Sequence, residues 1–142
     1  MEDFVTIEIA KKLKKKGFKE LCTHFYRNET SIPQETFCGL RSNTHHKWSF
    51  NSMEVKLKDT HVRVQVNIVD APTISQVLKW LRKEKELHVV FPFYEDKGFY
   101  YYVQRIGNAA RIVSSFNDSD TCFDTAELAA IAGIEYCLDN LI

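Results

Sequence analysis

The sequence predicts an α+β fold: an antiparallel β-sheet of about five strands with three helices packed mainly on one face. Helical periodicity with capping signals occurs three times, and alternating apolar and polar residues with tight turn signals occur between these segments. Strands joined by tight turns pair antiparallel, and helices then cover one face of the sheet. The 142 residues are expected to form a single domain, 1–142, with a long irregular loop at about 28–53.

The N-terminal third predicts one helix and one strand. Thr6 is a suitable N-cap, and Gly17 is suited to end the helix in a left-handed conformation. Residues 20–27 then alternate in character as a strand does. Within the irregular loop, a short strand is expected around 36–40.

A hairpin and a capped helix are expected in the middle of the chain. Residues 55–57 lead to a turn near Asp59-Thr60, and 62–68 alternate strictly between aliphatic and polar side chains. Thr73 and Gln76 then form a capping box, which predicts the start of the second helix.

The last part of the chain predicts further strands and a closing helix. Residues 88–94 and 99–106 are expected to form strands, joined by a hairpin turn at Asp96-Lys97-Gly98. A short strand is expected around 111–116. The last helix is expected to begin at Asp124 and to be the most buried of the three.

Composition and charge exclude several classes of protein. Hydrophobic residues make up 44%, which is typical of a globular chain. Lysine plus arginine number 19 and aspartate plus glutamate number 19, so the basic excess typical of nucleic-acid-binding proteins is missing. The cysteines form no CxxC pair and follow no secretory signal, and no apolar stretch is long enough to span a membrane. We therefore expect a cytoplasmic protein that has free thiols and does not enter a membrane.

One group of residues has the chemistry of a metal site. Thiolates and imidazoles are ligands that zinc prefers. The spacing differs from that of the common zinc fingers, and a buried cysteine with polar loop histidines is the competing interpretation. The candidate ligands are Cys22, His24, Cys38, His45 and His46.

A basic face on the predicted hairpin is the candidate for nucleic-acid binding. Lysine and arginine side chains on one sheet face can contact a phosphate backbone, and nearby aromatic rings can stack on bases. A solvated sheet face is the competing interpretation. The candidate residues are Lys56, Lys58, His61 and Arg63.

No motif for a catalytic centre or a cofactor is present. The glycines are scattered singly, so no phosphate-binding loop is expected, and no nucleophile elbow or HExxH sequence occurs. Cys122 precedes a helix, where a thiolate would be stabilised, but a partly buried loop thiol is the competing interpretation. Cys137 lies in an apolar helix and is expected in the core. We expect no catalytic residues and no cofactor.

Several segments of the chain form a recognisable set: 8–18, Ala71-Pro72-Thr73 followed by 77–82 with a Lys-Glu-rich end, then a predicted β-hairpin, and 127–142. This set resembles a group of small uncharacterised proteins found in gut Bacteroidales and in their phages and mobile elements. The resemblance implies a phage or mobile-element origin, and it implies no activity and no functional residue.

These observations favour a non-enzymatic binding or accessory protein that acts on a protein partner. Nucleic-acid binding through the hairpin face is the alternative, and a small hydrolase or nuclease is a second alternative. Residues 99–103 carry apolar side chains on both faces of a predicted strand, so a homodimer is also a candidate assembly.

Overall fold

The structure is a computed structural model that describes residues 3–27, 34–35, 52–57, 60–65, 68–108 and 110–142. Its backbone separates into two compact units: an N-terminal unit, Phe4–Pro72, and a C-terminal unit, Met1–Asp3 with Thr73–Ile142. Helices and antiparallel sheets both occur, which confirms the α+β class. The described strands pair into four sheets of two or three strands, where the sequence led us to expect one larger sheet.

The N-terminal unit begins with helix α1 (Ile7–Lys15). The Thr6 hydroxyl accepts a hydrogen bond from the Ile9 N–H at 3.3 Å, which confirms the predicted N-cap. At the other end Gly17 has φ +90°, and the Phe18 N–H donates to the Leu13 carbonyl at 3.0 Å. Both ends of this helix are therefore set by nearby residues, which is why the sequence predicted them.

The strands of the N-terminal unit form two sheets. They are β1 (His24–Arg27), β2 (Gln34–Glu35), β3 (Ser52–Leu57), β4 (Thr60–Gln65) and β5 (Ile68–Asp70). Strand β1 is the central strand of an antiparallel sheet in the order β2-β1-β5, and β3 pairs with β4 as a hairpin. From β1, the buried Tyr26 hydroxyl donates to the Val5 carbonyl.

Two strand predictions in this unit were too long. The strand expected over 20–27 begins only at His24, because the ladders that pair β1 with β2 and β5 include no residue before His24. In the preceding segment Leu21 is exposed, and the buried Cys22 thiol donates to the Glu20 carbonyl at 3.4 Å. The strand expected over 62–68 divides into β4 and β5, which belong to different sheets. The strand expected around 36–40 lies outside the described residues, as does most of the expected loop.

The C-terminal unit combines helices with a three-stranded and a two-stranded sheet. The predicted capping box is confirmed, since the Gln76 N–H donates to the Thr73 hydroxyl at 3.2 Å and the Thr73 N–H donates to the Gln76 side chain at 2.9 Å. The elements are α2 (Ile74–Lys85), β6 (Leu87–Val90), β7 (Phe93–Tyr94), β8 (Gly98–Phe99), β9 (Tyr102–Arg105), β10 (Arg111–Ser114), α3 (Ser115–Ser119), α4 (Ala126–Tyr136) and a π-helical turn (Cys137–Leu141).

The core of the C-terminal unit lies between its helices and one face of its larger sheet. That sheet has the order β10-β9-β6 and is antiparallel throughout. Helices α2 and α4 contact each other and both contact β6. The sheet residues buried on this inner face are Leu87, Val89 and Val103. The opposite, outer face carries half-buried residues.

Three features of this unit differ from the sequence-based expectation. The strands expected over 88–94 and 99–106 each divide in two. Pro92, between β6 and β7, has no N–H to donate to a ladder, and between β8 and β9 the Tyr101 N–H donates to the Ser115 hydroxyl at 3.0 Å. The expected strand over 111–116 ends at Ser114, where α3 begins. The last helix begins at Ala126, since the Thr125 hydroxyl, not Asp124, caps it by accepting from the Leu128 N–H at 3.1 Å.

Candidate binding surface

The most aromatic segment of the chain, 91–102, forms a hairpin and the start of the next strand. Strands β7 and β8 pair antiparallel, with Phe93 opposite Phe99 and Tyr94 opposite Gly98. Asp96 and Gly98 have φ +69° and +101°, which the tight turn requires. The predicted turn is therefore confirmed, and it places consecutive aromatic residues on defined sides of the backbone.

Four rings from this segment and from α3 meet in one group, which we call the aromatic cluster (Tyr94, Tyr100, Tyr102 and Phe116). The Tyr94 and Phe116 rings are stacked, with centroids 4.8 Å apart and planes at 26°. Tyr100 lies 5.8 Å from Phe116 and 6.4 Å from Tyr102, in tilted arrangements. The Tyr94 and Tyr100 centroids are 6.5 Å apart at 72°. These separations fall in the range in which aromatic pairs attract each other.

Arg111 extends the cluster with a positive charge. Its guanidinium carbon lies 3.8 Å from the centroid of the Tyr102 ring, within the range of a cation–π interaction. The register of β10 against β9 shifts between Arg111 and Val113, so that Arg111 is paired with Gln104 and Ser114 with Tyr102. This bulge brings a basic residue beside a ring of the neighbouring strand.

Phe116 is presented by the short helix α3. The Ser114 hydroxyl accepts from the Asn117 N–H at 3.3 Å and caps the helix. Asp120 caps the other end of the helix, with φ +48° and an N–H that donates to the Phe116 carbonyl at 3.0 Å. These hydrogen bonds hold the backbone of α3, from which the Phe116 ring stacks on that of Tyr94.

The surface is open to solvent at its hairpin end. The Phe93 side chain is 63% exposed and that of Tyr94 is 45% exposed. Arg111 is also exposed, and Ile112 beside it is 38% exposed. Tyr100, Tyr102 and Phe116 are half-buried. Phe93 is paired with Phe99, and as the strand neighbour of Tyr94 it lies on the opposite face of the hairpin. Tyr94 and Arg111 are therefore the exposed members of this surface.

Tyr101 belongs to the other side of the strand. Its ring lies 6.2 Å from Phe123 and 6.5 Å from Tyr136. Its N–H donates to the Ser115 hydroxyl at 3.0 Å, and its carbonyl accepts from the Ser115 N–H at 2.9 Å. A Cβ added to Gly133 would lie 3.2 Å from the Tyr101 ring. Tyr101 therefore packs against α4, while its two neighbours contribute to the aromatic cluster.

One polar atom of the outer sheet face lacks a partner within the described part of the chain. Nδ1 of His88 is buried and makes no hydrogen bond to any described residue. By register His88 lies opposite Gln104, which is in turn opposite Arg111. The outer face thus combines aromatic and polar groups.

Only two of the five predicted zinc ligands lie in the described residues. Cys22 is buried, and His24 Nδ1 is 2.9 Å from the Thr23 hydroxyl, with its ring 4.5 Å from that of Phe4. Across the described ranges, no three His, Cys, Asp or Glu side chains gather as a metal site would require. Cys38, His45 and His46 lie outside the described residues, so the zinc site stays a prediction.

The structure gives the backbone register of the predicted nucleic-acid face. Lys56 is paired with His61, and Arg63 is paired with Glu54. Directly opposite residues of an antiparallel pair share a face, so the positions of Lys56, His61 and Arg63 fall on one face together with an acidic position. Lys58 lies outside the described residues. Nucleic-acid binding by this face stays a prediction.

The thiols of the described residues are free and differ in their surroundings. Cys22, Cys122 and Cys137 form no disulfide. Burial raises the pKa of the Cys137 thiol to about 12. A thiol with such a pKa is protonated at neutral pH and is a poor nucleophile. Cys137 is buried, as the sequence predicted.

The aromatic cluster was not predicted from the sequence. Residues 99–103 carry rings on both faces of a predicted strand, but Arg111 and Phe116 come from other elements. The available signal was the density of Phe and Tyr over 91–102. Convergence with Arg111 depends on a register shift that no local pattern predicts.

Comparison of the chain with protein-family models, with curated proteins and with solved structures finds no match. Within the described residues, no helix has both the length and the apolar composition that crossing a bilayer requires.

Proposed function

We propose that this protein is a non-enzymatic binding protein that contacts a protein partner through the aromatic cluster and Arg111. The observation that supports the proposal is the convergence of four rings and one guanidinium from separate elements of the C-terminal unit. Tyrosine and arginine are enriched among the residues that dominate the energy of protein interfaces. Rings held by their neighbours also lose little conformational entropy when a partner binds.

The ring geometry favours a protein partner over a nucleic acid at this surface. Bases bind to aromatic side chains by stacking on an open ring face. One face of Tyr102 is occupied by the Arg111 guanidinium, and Tyr94 and Phe116 are stacked on each other. These contacts leave fewer open ring faces on which a base could stack, whereas apolar side chains can also pack against ring edges. The formal net charge of zero also lacks the basic excess that phosphate binding favours.

Selection from a displayed library of random peptides tests this proposal before any partner has been identified. The variant Tyr94→Ala/Arg111→Gln removes one ring and the charge of the surface. A matched control, Leu128→Ala/Arg105→Gln, changes one exposed apolar residue and one exposed arginine elsewhere in the C-terminal unit. We expect selected peptides to bind the wild type and the control but not the cluster variant. Equal binding to all three proteins, or no enriched peptide, would overturn the proposal.

Nucleic-acid binding by the β3–β4 hairpin is a second candidate. The strand register supports this candidate, because pairing Lys56 with His61 places basic positions on one face of the hairpin. Fluorescence anisotropy with a labelled single-stranded oligonucleotide tests it at low and moderate salt. Replacement of Lys56, Lys58 and Arg63 by Ala should weaken a salt-dependent interaction. Unchanged affinity of the triple variant, or no binding of the wild type at low salt, rejects this candidate.

The protein partner can also be a second copy of this chain, which would make the protein a homodimer. The sequence suggested a second copy as the partner of 99–103, and the exposed Phe93 and Tyr94 adjoin this segment. Sedimentation velocity at high protein concentration tests it. A dimer that dissociates in Tyr94→Ala would identify the partner as a second copy, and a strictly monomeric mass would discard this form.

The proposal retains two expectations about the biological setting. A cytoplasmic location is supported by the free thiols of Cys22, Cys122 and Cys137. A phage or mobile-element origin is supported by the sequence resemblance in α1, α2 and α4. In such a setting the partner would be a host protein.

A further inference from the structure

One long β-hairpin of the C-terminal unit has opposite charges at its two ends. We call this hairpin the arm (87–105): β6 and β7 form one side of it, and β8 and β9 return along the other. Resting on the proposed function, in which Arg111 contacts a protein, we infer that the partner is a second copy of this chain. The acidic tip of one arm contacts the basic base of the other arm, so that copies join head to tail.

The backbone register makes the arm one continuous ribbon. Leu87 is opposite Arg105 at the base, and Tyr94 is opposite Gly98 next to the turn at the tip. The ladder of β6 with β9 and the ladder of β7 with β8 have the same register. At about 3.3 Å per residue, the stretch from Leu87 to Tyr94 spans roughly 25 Å. The tip and the base are therefore two separate surfaces.

The tip of the arm is acidic. Glu95 and Asp96 lie in its turn, and both are exposed. Stacking on the Tyr94 ring and a β-bridge to Phe99 hold the segment 116–124 beside the tip. This segment contains acidic positions and no basic one. The charged positions of the turn and of this segment are Glu95, Asp96, Lys97, Asp118, Asp120 and Asp124.

The base of the arm is basic. Arg105 closes the ladder of β6 with β9, and Arg111 lies on β10. Both arginines are exposed, and no acidic residue occurs over 97–117. Helix α2 also ends here, because the Glu86 carbonyl accepts a hydrogen bond from the Ile106 N–H at 2.9 Å. The base has a basic excess even when the charged positions at the end of this helix are included, which are Arg82, Lys83, Glu84, Lys85 and Glu86.

Both ends of the arm also expose apolar side chains. Phe93 is exposed at the tip, and Ile106 and Ile112 are exposed at the base. Contact between a tip and a base would remove these side chains from water, which adds a hydrophobic contribution to the attraction between opposite charges. The two surfaces are thus complementary in charge and both contain apolar groups.

A second copy suits these surfaces because one chain carries both of them. Within the described ranges, Glu95, Asp96 and Arg105 form no ion pair, so their charges are available to a partner. The formal net charge is zero, so two copies have no overall repulsion to overcome. A contact between two different surfaces leaves one tip and one base free in each pair, and further copies can therefore add.

Sedimentation velocity of the full chain over a range of concentrations tests the inference. We expect the wild type to form species larger than a monomer that grow with concentration and dissociate in about 0.5 M sodium chloride, because salt screens the attraction between exposed charges. A wild type that stays monomeric at low salt would overturn the inference and leave a foreign protein as the partner.

Two variants remove the charges of one end each. The base variant is Arg105→Gln/Arg111→Gln, and the tip variant is Glu95→Gln/Asp96→Asn. Asparagine suits position 96, where φ is +69°. Each variant alone should associate at least about tenfold more weakly than the wild type. The controls Glu135→Gln/Asp139→Asn and Lys14→Gln/Lys15→Gln make the same changes in net charge at exposed positions elsewhere and should associate as the wild type does.

Mixing the two variants distinguishes a head-to-tail contact from a symmetric one. The tip variant retains an intact base, and the base variant retains an intact tip, so an equimolar mixture should form a dimer that does not grow further. A mixture that stays monomeric, or a wild-type dimer that both variants leave intact, would overturn the inference. Since restored association requires both proteins to be folded, a misfolded variant cannot produce the expected result, and circular dichroism of each variant identifies one.

The single variant Arg105→Gln separates this inference from the proposed function, because Arg105 lies outside the aromatic cluster. It should weaken self-association and leave the binding of selected peptides unchanged. If peptides need Tyr94 and Arg111 while the wild type stays monomeric, the proposed function stands and this inference is wrong. If the mixed variants form a dimer but peptide selection fails, the contact between copies stands and the aromatic cluster is not the binding surface.

Discussion

Three consecutive tyrosines lie in two different environments. Tyr100 and Tyr102 contribute to the aromatic cluster on the outer side of the sheet, and Tyr101 packs against α4 beside Gly133 on the inner side. The inner region contains small or buried groups such as Gly133 and Val89, whereas the outer region contains half-buried rings, one exposed ring and an exposed guanidinium. The same residue type therefore packs against α4 on one side of the strand and against other rings and Arg111 on the other side.

The largest effect that this comparison predicts is at Gly133. A Cβ at this position would lie 2.5 Å from Cγ1 of Val89. Gly133→Val should lower the free energy of unfolding by about 3 kcal/mol, because the inner region has no room for the added groups. Urea denaturation measures the loss. In the double variant with Val89→Ala, part of the loss should be recovered; a purely additive result would show that the contact with Val89 is not its cause.

A second prediction compares Tyr101 directly with Tyr94. Tyr101→Ala removes a half-buried ring that touches Phe123 and Tyr136, and should cost about 2 kcal/mol of stability. Tyr94→Ala removes a ring that is 45% exposed and should cost less than about 1 kcal/mol. Thermal or urea unfolding of both variants measures the difference. Equal losses would contradict the division into inner and outer regions.

Alkaline pH should destabilise the inner region through Cys137. The pKa of this thiol rises from 9.0 to about 12 on burial, so the unfolded chain releases the proton at lower pH than the folded chain. Stability is then fully present below pH 9 and falls between pH 9 and 12, by roughly 1 kcal/mol per pH unit from this group.

Tyrosine side chains also titrate at alkaline pH, and the variant Cys137→Ala separates the contribution of the thiol to the loss of stability from theirs. It should lose stability at pH 7 because a buried group is removed, yet its stability should decline less between pH 9 and about 10.5 than that of the wild type. Parallel curves for the two proteins would show that the thiol does not titrate differently on folding.

A further prediction concerns Ser114, which caps the helix that carries Phe116. Ser114→Ala removes the N-cap of α3 and should cost about 1 kcal/mol. Because α3 places Phe116 against Tyr94, the variant should also bind selected peptides more weakly. Asn117→Ala, at an exposed position of the same helix, serves as the control. Loss of stability with unchanged peptide affinity would indicate that α3 does not position the aromatic cluster.

Local chemistry made parts of this fold predictable. The Thr6 cap, the Thr73–Gln76 capping box and the turn at Asp96-Lys97-Gly98 each depend on residues a few positions apart, and all three are confirmed. The cap of α4 was assigned one residue early, since Asp124 and Thr125 both have suitable side chains and only the backbone decides between them. Local signals of this kind fix where helices and turns begin.

The aromatic cluster was harder to predict, because its members come together through long-range pairing. Tyr102 meets Arg111 only because β10 shifts its register against β9, and Phe116 approaches Tyr94 only because the chain turns into α3 after Ser114. The strand predicted over 111–116 ends at Ser114 in the structure, and α3 begins at the next residue. The sequence pattern showed the abundance of rings without showing their partners.

The turn that starts this surface also limits how the sequence can vary. Gly98 has φ +101°, and a Cβ there would lie 2.6 Å from the Phe123 carbonyl oxygen. At Gly107, φ is +83° but no atom lies within 4 Å of an added Cβ. In a saturation library selected for folding, asparagine should therefore persist at 107, where it tolerates the left-handed region. Position 98 should retain glycine alone, and every functional variant of the hairpin would share that residue.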